Sequence, residues 1–332
     1  MNFEELSGSK EEIILAGRIM AKREHGGSVF FDIDDGTGKI QGLVKEDVAG
    51  KDQIEQFKEF LDIGDFVEIQ GTLSKTKTGE KTLLTTRYSL LTKALLPLPE
   101  KWHGLEDVEE RLRRRYVDLA MKPEEKDLLF KKARFWQATR DFLLKEGGLE
   151  VETPVLQQIP GGADAEPFKT HMNALDIDLY LRISPELHLK RLMVAGFEKV
   201  FEIGRIFRNE GIDREHLQDY TQMEMYWAYY DYEKLMELVE RLVKHVVQET
   251  LGDLNHEYRG KPVNWGGKWK RYDYFDEFNG HTGLNLAEAG ENDLKKYAER
   301  EGINTSLHIG KGRLIDVIFK KKIKPELWEP GF

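Results

Sequence analysis

The sequence predicts a two-part chain of 332 residues: an all-β barrel over residues 1–95, then an α+β domain of antiparallel sheet and helices. Three observations predict it. Residues 13–91 hold short apolar or alternating segments separated by turn residues, the pattern of a small barrel. The stretch Leu95-Leu96-Pro97-Leu98-Pro99 then breaks that pattern and marks a boundary. Beyond it the apolar spacing lengthens to helical periods interrupted by further short strands.

In the first part, residues 13–20 are apolar enough for a strand. Residues 29–34 alternate, with Val29, Phe31 and Ile33 on one face and Phe30, Asp32 and Asp34 on the other. Asp35-Gly36-Thr37-Gly38 is a turn, and residues 39–44 return as the partner strand. A short helix fits 51–60. Strands at 66–73 and 82–91 follow, joined through Thr78-Gly79-Glu80. Five strands with a helix between the third and fourth is the layout of an OB-fold barrel; a generic small β-barrel is the alternative on strand count alone.

Residues 96–122 read as a linker and a connecting helix, with 105–119 helical and carrying Arg111, Arg113, Arg114 and Arg115. Pro123 suits a first helical turn. A long amphipathic helix then covers 124–146, with Leu128, Phe135 and Phe142 on its buried stripe, and Gly147-Gly148 ends it. Strands are expected at 149–152, 179–183, 200–207 and 220–227, and helices at 185–194 and 232–250. Two strands joined by a polar loop of about a dozen residues suggest an antiparallel pair with a functional loop. Helices near 286–302 and 312–322 complete the pattern of the second part, 123–332.

Composition excludes several classes. The 60 acidic and 50 basic residues give a net charge of −10, which argues against coating nucleic acid by bulk charge but leaves room for a local basic patch. With no cysteine, the chain has no disulfide, thiolate metal site or cysteine nucleophile, and a reducing cytoplasm suits it. No stretch approaches the ~18 consecutive apolar residues of a membrane span. The acidic opening Met1-Asn2-Phe3-Glu4-Glu5 resembles neither a signal nor a transit peptide.

The most specific segment runs from Phe201-Glu202-Ile203-Gly204-Arg205-Ile206-Phe207-Arg208-Asn209-Glu210 to His216-Leu217-Gln218-Asp219-Tyr220-Thr221-Gln222-Met223-Glu224. Arg208 ends a strand, and its guanidinium fork matches phosphate oxygens. On spacing alone, an ordinary surface Arg–Glu pair with Glu210 is the commoner arrangement. In the barrel, Phe30 faces away from Phe31 and offers a stacking surface, Gln41 offers a donor and an acceptor, and Glu80 at a loop tip offers an acceptor. Taken singly, these three are also a packing aromatic, a strand polar residue and a solvated turn acid. Arg18, Lys22 and Arg23 are candidates for nucleic-acid backbone contacts.

The long segment resembles motif 2 of class II aminoacyl-tRNA synthetases, and residues 133–154 resemble motif 1, with Pro154 at its end. Ile159-Pro160-Gly161-Gly162-Ala163-Asp164-Ala165-Glu166-Pro167-Phe168 and the stretch 90–119 narrow the resemblance to the lysine-specific family. The resemblance implies ATP-dependent activation of L-lysine, transfer to lysine tRNA, a magnesium requirement, a cytoplasmic location and a homodimer through motif 1. It gives Arg208 the α-phosphate and the lysine carboxylate, Glu210 the adenine side, His216 the outer phosphates, and Tyr220 adenine stacking. Gly162 and Glu186 are implied to hold a lysine amino group, and Glu224 with Tyr226 the ε-ammonium. Glu186, in Ser184-Pro185-Glu186-Leu187, stands where the aspartate-specific relatives carry glutamine. As an acid at a helix start it also suits the helix dipole. Phe30, Gln41 and Glu80 fall at anticodon-contact positions for a uridine-rich triplet. The loop departs from the family pattern at His216-Leu217-Gln218-Asp219-Tyr220-Thr221, where His-Asn-Pro-Glu-Phe-Thr is more usual.

The resemblance also implies that a family member continues past Phe332 into motif 3, further lysine contacts and the carboxylates for magnesium. The chain is therefore expected to lack metal ligands and to be weak or inactive unless a separate C-terminal fragment completes it. A tRNA-binding or regulatory remnant is the non-catalytic alternative. A paralogue that lysylates proteins is the enzymatic one, disfavoured because such relatives lack the barrel.

Overall fold

The computed structural model describes residues 3–76, 78–98, 105–211, 216–305 and 310–332. Two compact units divide the chain, 1–126 and 127–332.

The first unit opens with α1 (Phe3–Ser9) and continues through β1 (Glu12–His25), β2 (Ser28–Asp34), β3 (Lys39–Lys45), α2 (Glu46–Ala49), α3 (Lys51–Phe60), β4 (Phe66–Lys75) and β5 (Lys81–Thr92). The five strands close in the order β1-β2-β3-β5-β4, with β3 and β5 parallel and the other pairs antiparallel. This is the expected OB-fold barrel. Alternation supplies its core: Val29, Phe31 and Ile33 point inward and are essentially fully buried with Ile19, Val67, Ile69 and Leu83. Phe57 of α3 plugs the barrel, its ring 4.8 Å from Phe31 and 4.9 Å from Tyr88. Burying each such side chain is worth about 1.5–3 kcal/mol. Gly42 in mid-strand follows from this packing, because a Cβ there would stand 2.2 Å from the Phe31 ring.

The single helix expected over 105–119 is two: α4 (Val108–Arg113) and α5 (Arg115–Met121). The chain breaks at Arg114, with φ −107° and ψ 43°. The reason is electrostatic. Asp118 is 1% exposed, and the break lets Arg111 and Arg115 reach it from two sides, at 2.9 and 2.5 Å. Both arginines also reach Glu125. A buried carboxylate needs that pairing. Pro97 follows β5 within the first compact unit, whose limit is Lys126, and Pro99 lies outside the described residues.

The second unit is led by α6 (Pro123–Lys145), then β6 (Leu149–Glu150), β7 (Leu156–Gln157), β8 (Lys169–Met172), β9 (Ile177–Leu181), α7 (Glu186–Val194), β10 (Lys199–Phe207), β11 (Asp219–Trp227) and α8 (Tyr232–Leu251). Strands β10 and β11 pair antiparallel and β6 adds in parallel, while β7-β9-β8 forms a second sheet. The buried stripe expected on α6 is buried only near its end. Phe142 is 8% exposed, but Leu128 and Phe135 are 57% and 42% exposed. Only the later turns, with Ala138, Phe142 and Leu143, pack on Phe201 and on Leu238 and Leu242 of α8.

Beyond α8 lie the hairpin β12 (Asn255–Tyr258) and β13 (Lys261–Asn264), then α9 (Tyr274–Thr282), α10 (Glu291–Arg300) and α11 (Lys311–Ile318). The helix expected from 286 begins only at Glu291, and the one expected over 312–322 turns into a π-helical stretch, Phe319–Ile323. Helix α9 was not anticipated; Asp273 caps it by accepting from the Phe275 and Asp276 amides. Phe278, Leu294, Leu314 and Ile318 form a separate small core there.

Candidate active site and nucleic-acid interface

The β10–β11 hairpin carries the first site. Its register pairs Phe207 with Asp219 and Ile206 with Tyr220. The Arg208 amide donates to the Gln218 carbonyl at 2.8 Å, and the Asn209 amide to the Glu166 carbonyl at 2.7 Å. These bonds hold Arg208 just past the strand end. Arg208, Glu210, His216 and Tyr220 line one cavity of about 270 Å³, so the structure brings all four together. The Arg208 guanidinium lies 5.7 Å from the Tyr220 ring centre. Its Nε is buried and has no hydrogen-bond partner among the described residues. A buried guanidinium donor without a partner is a standing demand for an anion.

Gly162, Glu186, Glu224 and Tyr226 form a second network. Gly162 has φ +90°, and a Cβ there would lie 2.8 Å from the Glu186 Cβ and 2.9 Å from Ser184 Oγ. Only glycine fits that approach. Ser184 Oγ donates to Glu224 Oε1 at 2.7 Å and accepts the Glu186 amide at 3.0 Å. Gln222 Nε2 also donates to Glu224. Burial raises the Glu224 pKa above the ordinary carboxylate value, against the hydrogen bonds from Ser184 and Gln222. Glu186 goes the other way: a 2.7 Å hydrogen bond from Lys190 and another from the Tyr226 hydroxyl hold its pKa down. Burial and Glu186 together raise the Tyr226 phenol. The charge of Arg208 acts on Glu224, so the two networks share one electrostatic environment.

A buried ion pair underlies both. Arg182, 2% exposed, donates to Glu202, to the Arg205 carbonyl at 2.8 Å and to the Thr153 carbonyl at 3.2 Å. Thr153 Oγ1 donates to the other Glu202 oxygen at 2.6 Å. The end of the α6–β6 segment is thereby tied to β10, whose last residues lead into Arg208.

In the barrel, Phe30, Gln41 and Glu80 line one cleft of about 730 Å³ with Arg23, Lys45 and Thr78 among its other walls. The register explains this: Phe30 stands opposite Leu43 on β3, and Gln41 opposite Thr82 on β5, two residues past Glu80. Of the three basic candidates, Arg23 lies in this cleft. Lys22 does not serve. Its side chain is only 14% exposed, and its Nζ donates to the Lys58 and Leu61 carbonyls at 2.7 and 2.9 Å. Arg18 instead covers the Phe66 ring at 4.5 Å and lines a different cavity.

Sequence reasoning missed Ser184, Gln222 and Lys190, which orient the two carboxylates, and the Arg182–Glu202 pair. Gln222 was findable, since it shares the alternating face of Glu224 and Tyr226. The Arg182–Glu202 pair spans two strands and leaves no local pattern. Among the described residues no group of three or more His, Asp or Glu side chains is placed to hold a metal ion, and no helix is long and apolar enough to cross a membrane.

Comparison with known proteins adds the following. Residues 107–317 match the family described as tRNA synthetases class II (D, K and N), and residues 13–91 match the OB-fold nucleic acid binding domain. The chain is 45% identical over 333 residues to a lysine–tRNA ligase of Carboxydothermus hydrogenoformans, covering 100% of this chain and 67% of that protein. A lysine–tRNA ligase of Bacillus subtilis is 44% identical over 330 residues (99% of this chain, 66% of the relative), and that of Thermotoga maritima 43% over 322 (97% and 64%). The chain thus spans about two thirds of the length of the curated relatives it matches.

Proposed function

This chain belongs to the tRNA synthetases class II (D, K and N), and we propose that within them it serves ATP-dependent activation of L-lysine and its transfer to lysine tRNA in the cytoplasm. The observation that carries the reading is the pairing of Arg208 with the acidic Glu186–Glu224–Tyr226 network. In this reading Arg208 takes the α-phosphate of ATP and the lysine carboxylate, through the donor that has no partner among the described residues. Tyr220 offers its ring to adenine, Glu210 lies on the adenine side, and His216 reaches the outer phosphates. Glu224 and Tyr226 receive the ε-ammonium, and Gly162 with Glu186 the α-amino group. A substrate with two ammonium groups fits this acidic pocket, whereas an aspartate side chain would meet like charge.

Chemistry then rests on position. The lysine carboxylate attacks the α-phosphorus in line, and pyrophosphate leaves as charge builds on the phosphate oxygens that Arg208 neutralises. Magnesium supplies further neutralisation in the family. The described side chains do not form a group that fits it, so no step of this chain's chemistry is assigned to the metal. The exposed Leu128, Leu129, Phe130 and Phe135 of α6 support a homodimer through motif 1, at whose end Pro154 is also exposed. Phe30, Gln41 and Glu80 would read a uridine-rich anticodon by stacking and edge hydrogen bonds. The test is lysine-dependent ATP–pyrophosphate exchange, by the chain alone and after adding the remaining third of a relative. Exchange that appears on addition, with lysine and not with aspartate, is expected. No exchange in either case, with tRNA binding retained, would favour a tRNA-binding remnant instead.

A further inference from the structure

We infer that Thr82 decides what Gln41 can read: it holds the amide oxygen, turns the amide nitrogen to the cleft, and makes Gln41 a donor selective for the 4-oxo group of a uridine. The inference deepens the RNA-reading role proposed for the barrel cleft and rests on it. Thr82 is 1% exposed and stands opposite Gln41 where β5 pairs with β3. Its Oγ1 donates to Gln41 Oε1 at 2.9 Å, and the Glu80 carbonyl lies 3.2 Å from the same hydroxyl. The hydroxyl has one proton, and of its two acceptors the Gln41 oxygen is the nearer, so the stronger hydrogen bond goes to Oε1.

The chemical consequence follows from the amide. A glutamine amide turned by 180° exchanges donor for acceptor at almost the same shape. Unheld, it reads either kind of base edge. With Oε1 held on the β5 side by a buried hydroxyl, what Gln41 turns to the cleft are the two N–H donors of Nε2. Uracil presents an acceptor at position 4, and cytosine presents an amine there. A donor-only Gln41 pairs with the first and meets donor against donor at the second.

The experiment uses the whole chain and an RNA hairpin whose loop carries a uridine triplet, each uridine replaced singly by cytidine, with binding read by fluorescence anisotropy. Wild type is expected to prefer uridine at one position by on the order of tenfold. Thr82→Val fills nearly the same volume without the proton, and should bring that ratio to within about twofold of unity. Thr82→Ser should restore it. A ratio unchanged in Thr82→Val, or lost equally in Thr82→Ser, overturns the inference. Should Thr82→Val not fold, wild type with 4-thiouridine at the discriminated position, a poorer acceptor, must bind more weakly; equal binding overturns it. Failure of the parent reading looks different, because Phe30→Ala and Gln41→Ala would then bind every hairpin as wild type does.

Discussion

The barrel and the synthetase unit answer to different kinds of completeness. The barrel closes on itself: its strands leave no unpaired edge in the ring, its core is sealed by Phe31 and Phe57, and its cleft is walled by its own strands and loop. The second unit holds three- and two-stranded sheets, and exposes Leu128, Phe130, Leu156 and Ile159. Its Arg208 Nε is buried without a hydrogen-bond partner among the described residues. The first region owes its site to its own packing. The second exposes apolar side chains on α6 and around β7, and its candidate site lies at the end of a hairpin.

The largest effects should separate these two kinds of order. Phe57→Ala removes the plug between Phe31 and Tyr88 and should cost the barrel roughly 3–5 kcal/mol in urea unfolding. A cost below about 1 kcal/mol would show that the barrel is not held by this core. Arg208→Ala, in the chain supplied with the remaining third of a relative, should lower lysine-dependent exchange by on the order of a hundred- to a thousand-fold. Phe30→Ala should weaken binding of a uridine-triplet hairpin by about 1–3 kcal/mol and leave exchange unchanged. Equal loss in both assays would merge the two sites that the comparison keeps apart.

The smallest effect is a pH dependence. Burial raises the Glu224 pKa, so this acid protonates at a higher pH than an ordinary glutamate as the solution is acidified. If Glu224 receives the ε-ammonium as proposed, its ionised form is the one that binds, so the KM for lysine should rise as pH falls through that raised pKa, approaching about tenfold per unit. Glu186, held down by Lys190 and Tyr226, stays ionised to lower pH and should not produce the first loss. A Glu224→Gln enzyme should lack this acid limb, and a KM profile identical to wild type would remove Glu224 from lysine binding.

Legibility in the sequence followed locality. The barrel strands were readable because alternation at Val29, Phe31 and Ile33 is a short-range consequence of one buried face. Arg208, Glu210, His216 and Tyr220 were singled out through the resemblance of one continuous segment to motif 2, and that segment folds as one hairpin that brings them to one cavity. The break at Arg114 was not, because it serves a buried Asp118 whose partners come from both sides of the break. Nor was the exposure of Leu128 and Phe135, since a helical stripe states that a face is apolar and not what covers it. Lys22 misled for the opposite reason: a lysine in a basic stretch looks solvated until its ammonium is found between two backbone carbonyls.

The central claim is that the RNA-reading cleft is built independently of the arginine site. Its most direct test is the affinity of the whole chain for a uridine-triplet hairpin against one with the triplet replaced by adenosines, measured in wild type and Arg208→Ala. The account predicts a strong triplet preference, the same in both proteins. A wild type without that preference, or a preference that collapses in Arg208→Ala, would contradict it.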